Sequence, residues 1–308
     1  MEWKYKIFYR IYFYLSRLKR SGNRIILKIQ KKYLFWFYYW CNRKFVKYLK
    51  EKGSRDGINI EKSSVSLVVS LTSFPARINT TWIAIETIMR QTYRPDRIVL
   101  WLAESQFPDH VIPESLIQLQ KKGLEVRFCE DLRSHKKYYY AFQEFKDSLV
   151  ITVDDDLFHP LDMIEKLMKL HKRYPDDIIA STVQIITPTM QSLPTEWKQQ
   201  ENYRKYISCK EAQAFTGAGT LFPVNLFSKK TYDIGSIKKN AWTCDDLWLK
   251  AASLYAGIKT TAVSPYRTFG IEIAIDNNET LYAINGVDGG NQNNISWDKL
   301  IKHFDIRG

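Results

Sequence analysis

From residue 65 onward, the chain alternates between two patterns of apolar and polar residues. Apolar, often β-branched runs are typical of strands buried on both faces of a parallel sheet, and segments with apolar residues at helical spacing separate them. The runs predict strands over Val65–Leu71, Arg97–Ala103, Leu124–Cys129, Leu149–Val153 and Ile178–Val183. The segments between and after them predict helices over Trp82–Arg90, Pro113–Lys122, Tyr138–Phe145, Leu161–Arg173 and Asp245–Tyr255. This alternation indicates βαβ units, and therefore an α/β fold with a mostly parallel sheet flanked by helices.

Composition divides the chain into four parts. Residues 1–50 are basic and aromatic, and we expect a helical extension there. Residues 51–64 are polar and turn-rich, which predicts a linker to a main domain over residues 65–284. Residues 285–308 begin with a stretch rich in Gly and Asn, so we expect a flexible C-terminal segment.

The N-terminal fifty residues carry the whole net charge of +13, because they hold fourteen Lys or Arg residues and one acid, Glu2. They also hold sixteen of the 44 aromatic residues. No apolar stretch reaches the roughly 18 residues of a spanning helix, and no small-residue cleavage site of a signal peptide follows. Aromatic rings mixed with cations suit a helix that lies in a membrane interface.

We therefore expect residues 1–50 to bind an anionic membrane surface and to hold the protein peripherally on the cytoplasmic face of the cell membrane. Two alternatives remain open. The helices can pack on the main domain or in an oligomer, or the basic and aromatic residues can bind single-stranded nucleic acid. Four cysteines, spaced for neither a zinc site nor a disulfide framework, fit a reducing cytoplasm; they are Cys41, Cys129, Cys209 and Cys244.

Three consecutive carboxylates follow the predicted strand Leu149–Val153: Asp154, Asp155 and Asp156. They repel one another unless a cation lies among them, and their oxygens suit a hard divalent ion such as Mg²⁺ or Mn²⁺. Such an ion takes its other ligands from water and from substrate phosphates, and α/β sheets bind ligands at the carboxyl ends of their strands. The triplet therefore predicts a metal–diphosphate site, with a solvated loop or a helix N-cap as the alternative.

Two further loops follow predicted strands. The first strand ends in a loop that contains Thr72, Ser73, Phe74 and Arg77, in which backbone N–H groups and the guanidinium can reach a phosphate or a base. The third strand is followed by a loop that contains Asp131, Lys136 and Lys137. Here the carboxylate can accept hydrogen bonds from a base or ribose, and the ammonium groups can neutralise a diphosphate; the alternatives are a proline turn and a solvated charged loop.

Two later motifs can also carry chemistry. Gly217 and Gly219 allow the backbone to approach a ligand closely, or form a tight turn. The acidic pair Asp245 and Asp246 stands at the start of a predicted helix. One carboxylate there can deprotonate an acceptor hydroxyl as a general base, while the other caps the helix.

An ordered set of motifs resembles bacterial glycosyltransferases of capsule, lipopolysaccharide and related surface-polysaccharide pathways, which have a GT-A type fold. The resemblance covers about residues 65–255. The motifs are Val69–Arg77, Gln91–Pro95, Ile98–Leu102, Phe107–Pro108, Ser134–Lys137, Ile151–Leu157, Phe215–Pro223 and Asp245–Trp248. The N-terminal fifty residues lie outside it.

The resemblance implies a Rossmann-like GT-A domain with a nucleoside-diphosphate sugar as donor and a divalent metal, Mn²⁺ or Mg²⁺, bound by Asp154 and Asp156. It implies that the loop from Thr72 to Arg77 helps to hold the nucleotide, and that the loop Thr216–Thr220 borders the donor sugar and the acceptor. Asp155, Asp131 and the lysine pair complete the expected donor contacts. The pair Asp245–Asp246 falls where inverting members place their catalytic base, and we favour Asp246. The family has Tyr where this chain has His135, which leaves the role of that side chain open.

We therefore expect a metal-dependent glycosyltransferase of the inverting kind that acts on a glycan or lipid-linked oligosaccharide in cell-surface glycan synthesis. Two alternatives come from other classes. A sugar-phosphate nucleotidyltransferase uses the same metal–diphosphate chemistry, but the loop from Phe74 to Arg77 lacks the glycines typical of such enzymes. A nucleic-acid-binding protein would account for the basic N-terminus but not for the acidic motifs, so we expect no nucleic-acid partner.

Overall fold

The computed structural model describes residues 1–18, 23–59, 65–199, 207–263, 270–274 and 291–306. The helices are α1 (Glu2–Leu18), α2 (Arg24–Trp40), α3 (Val46–Lys52), α4 (Ile78–Met89), α5 (Glu114–Gln120), α6 (Lys136–Glu144), α7 (Met163–His171), α8 (Ile234–Asn240), α9 (Asp245–Tyr255) and α10 (Gln292–Phe304). The strands are β1 (Leu67–Thr72), β2 (Arg97–Ala103), β3 (Leu124–Cys129), β4 (Leu149–Val153), β5 (Leu157–Phe158), β6 (Ile178–Ala180), β7 (Val183–Ile185), β8 (Lys198–Gln199), β9 (Ala212–Ala214), β10 (Ala218–Pro223), β11 (Thr260–Ala262) and β12 (Ile271–Glu272).

The main sheet has seven strands in the order β11-β6-β10-β4-β1-β2-β3. Strands β1 to β4 pair in parallel, with Val69 opposite both Ile98 and Ile151. Strand β10 runs antiparallel to both of its neighbours, β4 and β6. The sheet is therefore mixed and mostly parallel, which confirms the fold class expected from the alternation of strands and helices.

Each face of the sheet supports its own apolar core, because side chains alternate between the two faces along a strand. Val68 and Val150 face a core that includes side chains of α6, α9 and α10. Val69 and Ile151, the next residues along, face a second core built with α4, α5 and α7. Strands β1, β2 and β4 are thus buried on both sides, the edge strand β3 is half-buried, and the carboxyl ends of the four strands meet at one edge of the sheet.

The N-terminal residues form the expected helical extension, and it packs on the main domain. Helix α2, a π-helical segment (Cys41–Phe45) and α3 form one continuous helix that lies beside α1. Tyr5, Phe37 and Phe45 are buried in a third apolar cluster that also contains Phe158 and Leu161 of the main domain. Packing on the domain was one of the open alternatives. Among the described residues, no helix combines the length and the hydropathy needed to cross a bilayer.

Some boundaries differ from the sequence-based expectation. The single strand expected over Ile178–Val183 is divided at Ser181 and Thr182 between β6 of the main sheet and β7 of a small three-stranded sheet. We expected a flexible segment at the C-terminus. This expectation is wrong for α10, whose Trp297, Leu300 and Phe304 are buried. These apolar side chains recur at helical spacing and so attach the helix to the core. Residues 285–290 of the expected segment lie outside the described residues.

The expected linker begins within α3, which ends at Lys52. Residues 53–59 then follow the surface of the domain, where Gly53 accepts a hydrogen bond from Arg90 and Asn59 donates one to Pro95. Residues 60–64 lie outside the described part of the chain.

Candidate active site

The acidic triplet leaves β4 at the edge of the sheet where the parallel strands end. The three side chains differ in exposure: Asp154 is 41 % exposed and Asp156 is 25 % exposed, whereas Asp155 is 6 % exposed. The outer two carboxylates are therefore accessible, and the middle one is directed into the protein. This division matches the spacing of an Asp-x-Asp motif.

Residues of the loop after β1 hold the buried Asp155. The Ser73 hydroxyl donates to Asp155 at 2.5 Å, and the Arg77 guanidinium lies 3.1 Å from the same carboxylate and 2.8 Å from Asp156. Arg77 also lies over the ring of Phe74. Burial raises the pKa of Asp155 although Arg77 and Ser73 act against it, and burial together with the two neighbouring carboxylates raises the pKa of Asp156 to about 7.

Lys137, in the first turn of α6, joins the triplet to the second acidic pair. Its ammonium lies 2.7 Å from Asp154 Oδ1 and 3.0 Å from Asp245 Oδ2, and its side chain is buried. Burial alone would lower the pKa of Lys137, but the two carboxylates outweigh burial and raise it. One fixed positive charge therefore links two motifs that are 91 residues apart in the sequence.

The second acidic pair begins α9 and is held by Thr216. The Thr216 N–H donates to Asp246 Oδ1 at 2.8 Å, and its hydroxyl lies 2.5 Å from that oxygen and 3.0 Å from Asp245 Oδ2. The hydroxyl has one hydrogen to donate and two carboxylates within reach, so neither carboxylate has this hydrogen bond to itself. The position at the start of α9 also places both carboxylates near the positive end of the helix dipole.

The two members of this pair have different electrostatic surroundings. Burial raises the pKa of Asp246 to about 7, with the charge of Asp245 as the second cause. Burial acts on Asp245 in the same direction, but Lys137 and other donors overcome it and lower its pKa to about 2. At neutral pH Asp245 is thus a fixed anion, while Asp246 can take up and release a proton.

Two glycines in this region lie where neighbouring side chains leave no room for a Cβ. The Asp154 N–H donates to the Gly217 carbonyl at 2.9 Å, and a Cβ at Gly217 would overlap the Asp154 carboxylate. Gly219 has a φ of +93°, and a Cβ there would overlap the sulfur of Met163. Only a residue without a side chain fits either position.

Other candidate residues have partners outside this cluster. Lys136 forms a 2.6 Å ion pair with Asp131, so the structure brings Lys137 and not Lys136 to the triplet. The Thr72 hydroxyl donates to the Trp101 carbonyl. His135 is buried between the Tyr138 hydroxyl and the Ala241 carbonyl, and burial lowers its pKa to about 4. Its role here is to connect α6 with the segment that precedes α9.

The cluster contains five carboxylates and two cations: Asp154, Asp155, Asp156, Asp245, Asp246, Arg77 and Lys137. Within the described residues, no group of three or more His, Cys, Asp or Glu side chains is arranged as a metal-ligand set. Two exposed carboxylates nevertheless fit Mg²⁺ or Mn²⁺, because such ions retain waters and bind substrate phosphates. The excess negative charge of the cluster favours a cation in the same place.

Comparison with known protein families gives one match. Residues 77–229 fit the family described as glycosyl transferase family 2. This part of the chain is similar to family 2 glycosyltransferases. The match extends from Arg77 through the acidic triplet to a few residues beyond β10, which is just under half of the chain, and it agrees with the GT-A type fold expected from the motifs.

Solved structures with similar folds include TarS of S. aureus in complex with UDP, at 9 % identity, a TM-score of 0.41 and coverage of 64 % of this chain and 57 % of that chain. A second TarS structure, in complex with UDP-GlcNAc, has 11 % identity, a TM-score of 0.44 and coverage of 71 % and 61 %. Glucosyl-3-phosphoglycerate synthase of Mycobacterium tuberculosis, in complex with Mn²⁺, UDP and glucosyl-3-phosphoglycerate, has 12 % identity, a TM-score of 0.47 and coverage of 80 % and 82 %. The chain thus spans about three fifths of these TarS chains. No curated protein matches the sequence.

The residues that match family 2 do not include the whole cluster. Thr72, Ser73 and Phe74 precede the matched residues, and Asp245 and Asp246 follow them. The sequence did not identify Thr216 as the partner of the acidic pair, or Lys137 as the link between the two acidic motifs. Thr216 lies directly before Gly217, within a motif that the sequence did indicate, but the contact itself depends on how β10 and α9 pack.

Proposed function

We propose that the protein transfers a sugar from a nucleoside-diphosphate sugar to a hydroxyl group of a glycan acceptor. The observation that carries this proposal is the cluster in which Lys137 joins Asp154 to Asp245 at the carboxyl edge of the sheet. The cluster has more carboxylates than cations, and a divalent cation bound there would attract a diphosphate. The similarity to family 2 glycosyltransferases, which includes the acidic triplet, supports the same reaction class.

Asp154 and Asp156 are the residues that would hold Mn²⁺ or Mg²⁺, since they are the exposed members of the triplet. When bound, the ion neutralises the leaving nucleoside diphosphate as a Lewis acid. Arg77 and Ser73 keep Asp155 turned inward and so fix the direction of its two neighbours. The residues proposed to contact the nucleotide and sugar are Thr72, Ser73, Phe74, Arg77, Asp131, Lys136, Lys137, Asp154, Gly217 and Gly219. Asp155 was also expected to contact the donor, but its side chain is turned inward, so we propose that it supports its two neighbours instead.

Asp246 acts as the general base of an inverting transfer. It accepts the proton of the acceptor hydroxyl while the acceptor oxygen bonds to the anomeric carbon and the bond from that carbon to the diphosphate breaks. A base with a pKa near the working pH is the most effective, and the pKa of Asp246 is about 7. Asp245, with a pKa of about 2, stays ionised beside Lys137 and keeps Asp246 basic.

The acceptor belongs to cell-surface glycan synthesis, as the resemblance to capsule and lipopolysaccharide glycosyltransferases suggests. A lipid-linked oligosaccharide would agree with the surface of the N-terminal helices. Their outward faces expose large aromatic residues, with Trp3 62 % and Phe35 73 % exposed. Helix α2 also has exposed lysines, and the first fifty residues contain fourteen Lys or Arg residues and one acid. Such a surface suits the anionic inner face of a cell membrane.

Calorimetric titration with UDP, in the presence of Mn²⁺ and then of EDTA, tests the donor and metal assignments together. We expect binding that depends on Mn²⁺. The variant Asp156→Ala should bind UDP about a hundredfold more weakly or worse. Loss of a metal ligand weakens metal binding more than loss of a residue that only forms a hydrogen bond to a ligand. Equal affinity for UDP with Mn²⁺ and with EDTA would contradict the metal assignment.

Asp162→Asn is the matched control. Asp162 lies six residues beyond Asp156 and pairs with Lys166, so this variant also removes one negative charge near the triplet. It should retain Mn²⁺-dependent binding. If neither UDP nor any other nucleoside diphosphate binds the unmodified protein, the proposed donor class is wrong.

A further inference from the structure

The acidic triplet is followed at once by a very small sheet. Strand β5 begins at Leu157 and pairs with β12, with Phe158 opposite Ile271 and Leu157 opposite Glu272. The Ile273 N–H also donates to the Asp156 carbonyl at 2.7 Å. Two strands of two residues each are not stable by themselves, so other parts of the chain must hold this sheet in place.

Two tyrosines of α1 bind the backbone of this sheet. The Tyr5 hydroxyl donates to the His159 carbonyl at 2.9 Å. The Tyr9 hydroxyl donates to the Phe158 carbonyl and accepts the Ile271 N–H at 2.8 Å, so it bridges the two strands. Both phenols are buried, and burial raises the pKa of each, which keeps them as hydrogen-bond donors.

Asn42, in the π-helical segment, holds the other side of the sheet. Its side-chain amide donates to the Glu272 carbonyl at 3.0 Å and accepts the Ala274 N–H at 2.7 Å. A π-helical turn is rare and often marks a functional position. The N-terminal helices therefore supply partners to both strands of the sheet.

The contacts continue from the sheet to the triplet. Besides accepting from Tyr5, His159 donates its N–H to the Thr87 hydroxyl at 3.2 Å, and its ring Nε2 lies 3.2 Å from the Asp154 carbonyl. His159 is fully buried, and burial lowers its pKa to about 4, so the neutral ring donates to that carbonyl. A continuous series of hydrogen bonds thus connects α1 with the backbone of Asp154.

We propose that Tyr5 and Tyr9 are positioning residues for the acidic triplet, and that the N-terminal helices are part of the catalytic unit. They fix the segment 154–159 through the β5–β12 sheet, so that the exposed carboxylates of Asp154 and Asp156 keep their geometry. The effect on nucleotide binding rests on the proposed function; the effect on the backbone does not.

The test compares the double variant Tyr5→Phe/Tyr9→Phe with Tyr33→Phe. Tyr33 donates its hydroxyl to the Phe8 carbonyl at 2.9 Å, so this control removes the same kind of hydrogen bond inside the N-terminal helices without reaching the sheet. Hydrogen exchange of residues 154–159 and Mn²⁺-dependent binding of UDP are measured for each protein. We expect exchange in this segment to become at least about tenfold faster, and UDP affinity to fall about tenfold, in the double variant alone.

Unchanged exchange and unchanged affinity in a folded double variant would overturn the proposal, as would equal effects of Tyr33→Phe. Faster exchange at residues 154–159 together with no UDP binding by the unmodified protein would support the positioning role and show that the proposed donor is wrong. If the double variant does not fold, Tyr5→Phe alone removes one hydrogen bond; faster exchange confined to residues 154–159 supports the proposal, and unchanged exchange overturns it.

Discussion

Lys137 determines how the carboxylates of the cluster share their charge. It pairs with Asp154 from one motif and with Asp245 from the other, and it leaves Asp246 beside a fixed anion. Neighbouring carboxyl groups whose pKa values are separated in this way can take different roles in one reaction. The ammonium thereby distinguishes Asp246 from Asp245, which the sequence alone could not do.

Replacement of Asp246 by Asn should remove the base and leave the donor site intact. We expect transfer to fall by roughly 10²–10⁴-fold, the usual contribution of a general base, while Mn²⁺-dependent binding of UDP is unchanged. In the unmodified enzyme, at a saturating concentration of Mn²⁺ that keeps Asp156 ionised as a ligand, kcat/KM should rise about tenfold per pH unit below pH 7 and level off above it. This follows because only the ionised Asp246 accepts a proton and its pKa is about 7.

Steady-state rates between pH 5 and 9 measure this dependence. The control Asp233→Asn changes a carboxylate that caps α8 and should leave the profile unchanged. Wild-type turnover by Asp246→Asn would refute the assignment of the base. A flat profile between pH 5 and 7 would show that this carboxyl group does not titrate in the rate-limiting step.

The residues of the site were visible in the sequence, but most of their contacts were not. Three adjacent carboxylates after an apolar strand are a local pattern, so the sequence could indicate them as a candidate metal–diphosphate site. The pairing of Asp154 with Asp245 through one lysine depends on how α6 and α9 pack against the sheet, and no local pattern encodes it. For the same reason Lys136 and Lys137 looked equivalent, although α6 buries them toward different partners.

Among the secondary-structure elements, strands β1, β2 and β4 were predictable because each is an apolar run buried on both faces, and β3 because its apolar residues alternate with charged ones at the edge of the sheet. The helices between them were predictable from apolar residues at helical spacing. The direction of β10 was not. Its apolar residues Leu221 and Phe222 would suit either orientation, and the antiparallel choice is made by pairing with Ile151 and Val150. This direction matters, because β10 starts beside the end of β4 and so places Thr216 and Gly217, which precede it, next to the acidic triplet.

The loop before β10 gives a test of that close approach. Gly217→Ala should displace the Asp154 carboxylate, since the added Cβ would overlap it. We expect Mn²⁺-dependent UDP binding to weaken by at least about tenfold with little change in secondary structure, because one ligand would leave its position. Calorimetry and circular dichroism measure the two effects.

Gly235→Ala, in α8, is the matched control, because its added Cβ would meet Asp233 at 3.4 Å, an ordinary contact distance. This variant should bind UDP normally and be at least as stable as the unmodified protein. Normal UDP binding by Gly217→Ala would mean that the fixed contact between the two backbone segments is not needed at the donor site.

At the scale of the whole molecule, the N-terminal helices have two distinct surfaces. The inner surface joins the domain through Tyr5 and Tyr9 and through Glu2, the single acid of residues 1–50, which pairs with Arg55 and the buried Arg90. The outer surface has the exposed rings and exposed cations such as Lys28, Lys31 and Lys32. Composition alone predicted the basic and aromatic outer surface. The inner surface could not be predicted in this way, because it is formed by contacts with residues more than fifty positions away in the sequence.

The outer surface predicts binding to anionic lipid. The full chain should float with vesicles that contain about 30 % phosphatidylserine, and not with purely zwitterionic vesicles. Lys28→Glu/Lys31→Glu/Lys32→Glu should weaken the partition by roughly a hundredfold or more, because each cation near the membrane contributes about 1 kcal/mol.

Phe35→Ser should also weaken this binding, because an exposed ring on α2 would no longer enter the interface. Tyr255→Ser is its control, because it removes a ring that is 51 % exposed at the end of α9, away from the N-terminal helices.

Equal flotation of the lysine variant and the unmodified chain would exclude an electrostatic membrane surface. If vesicles fail to bind while RNA binds with a steep dependence on salt, the cations serve nucleic acid instead. Because the same helices hold the β5–β12 sheet, a membrane bound at their outer surface would lie at a fixed orientation to the acidic cluster.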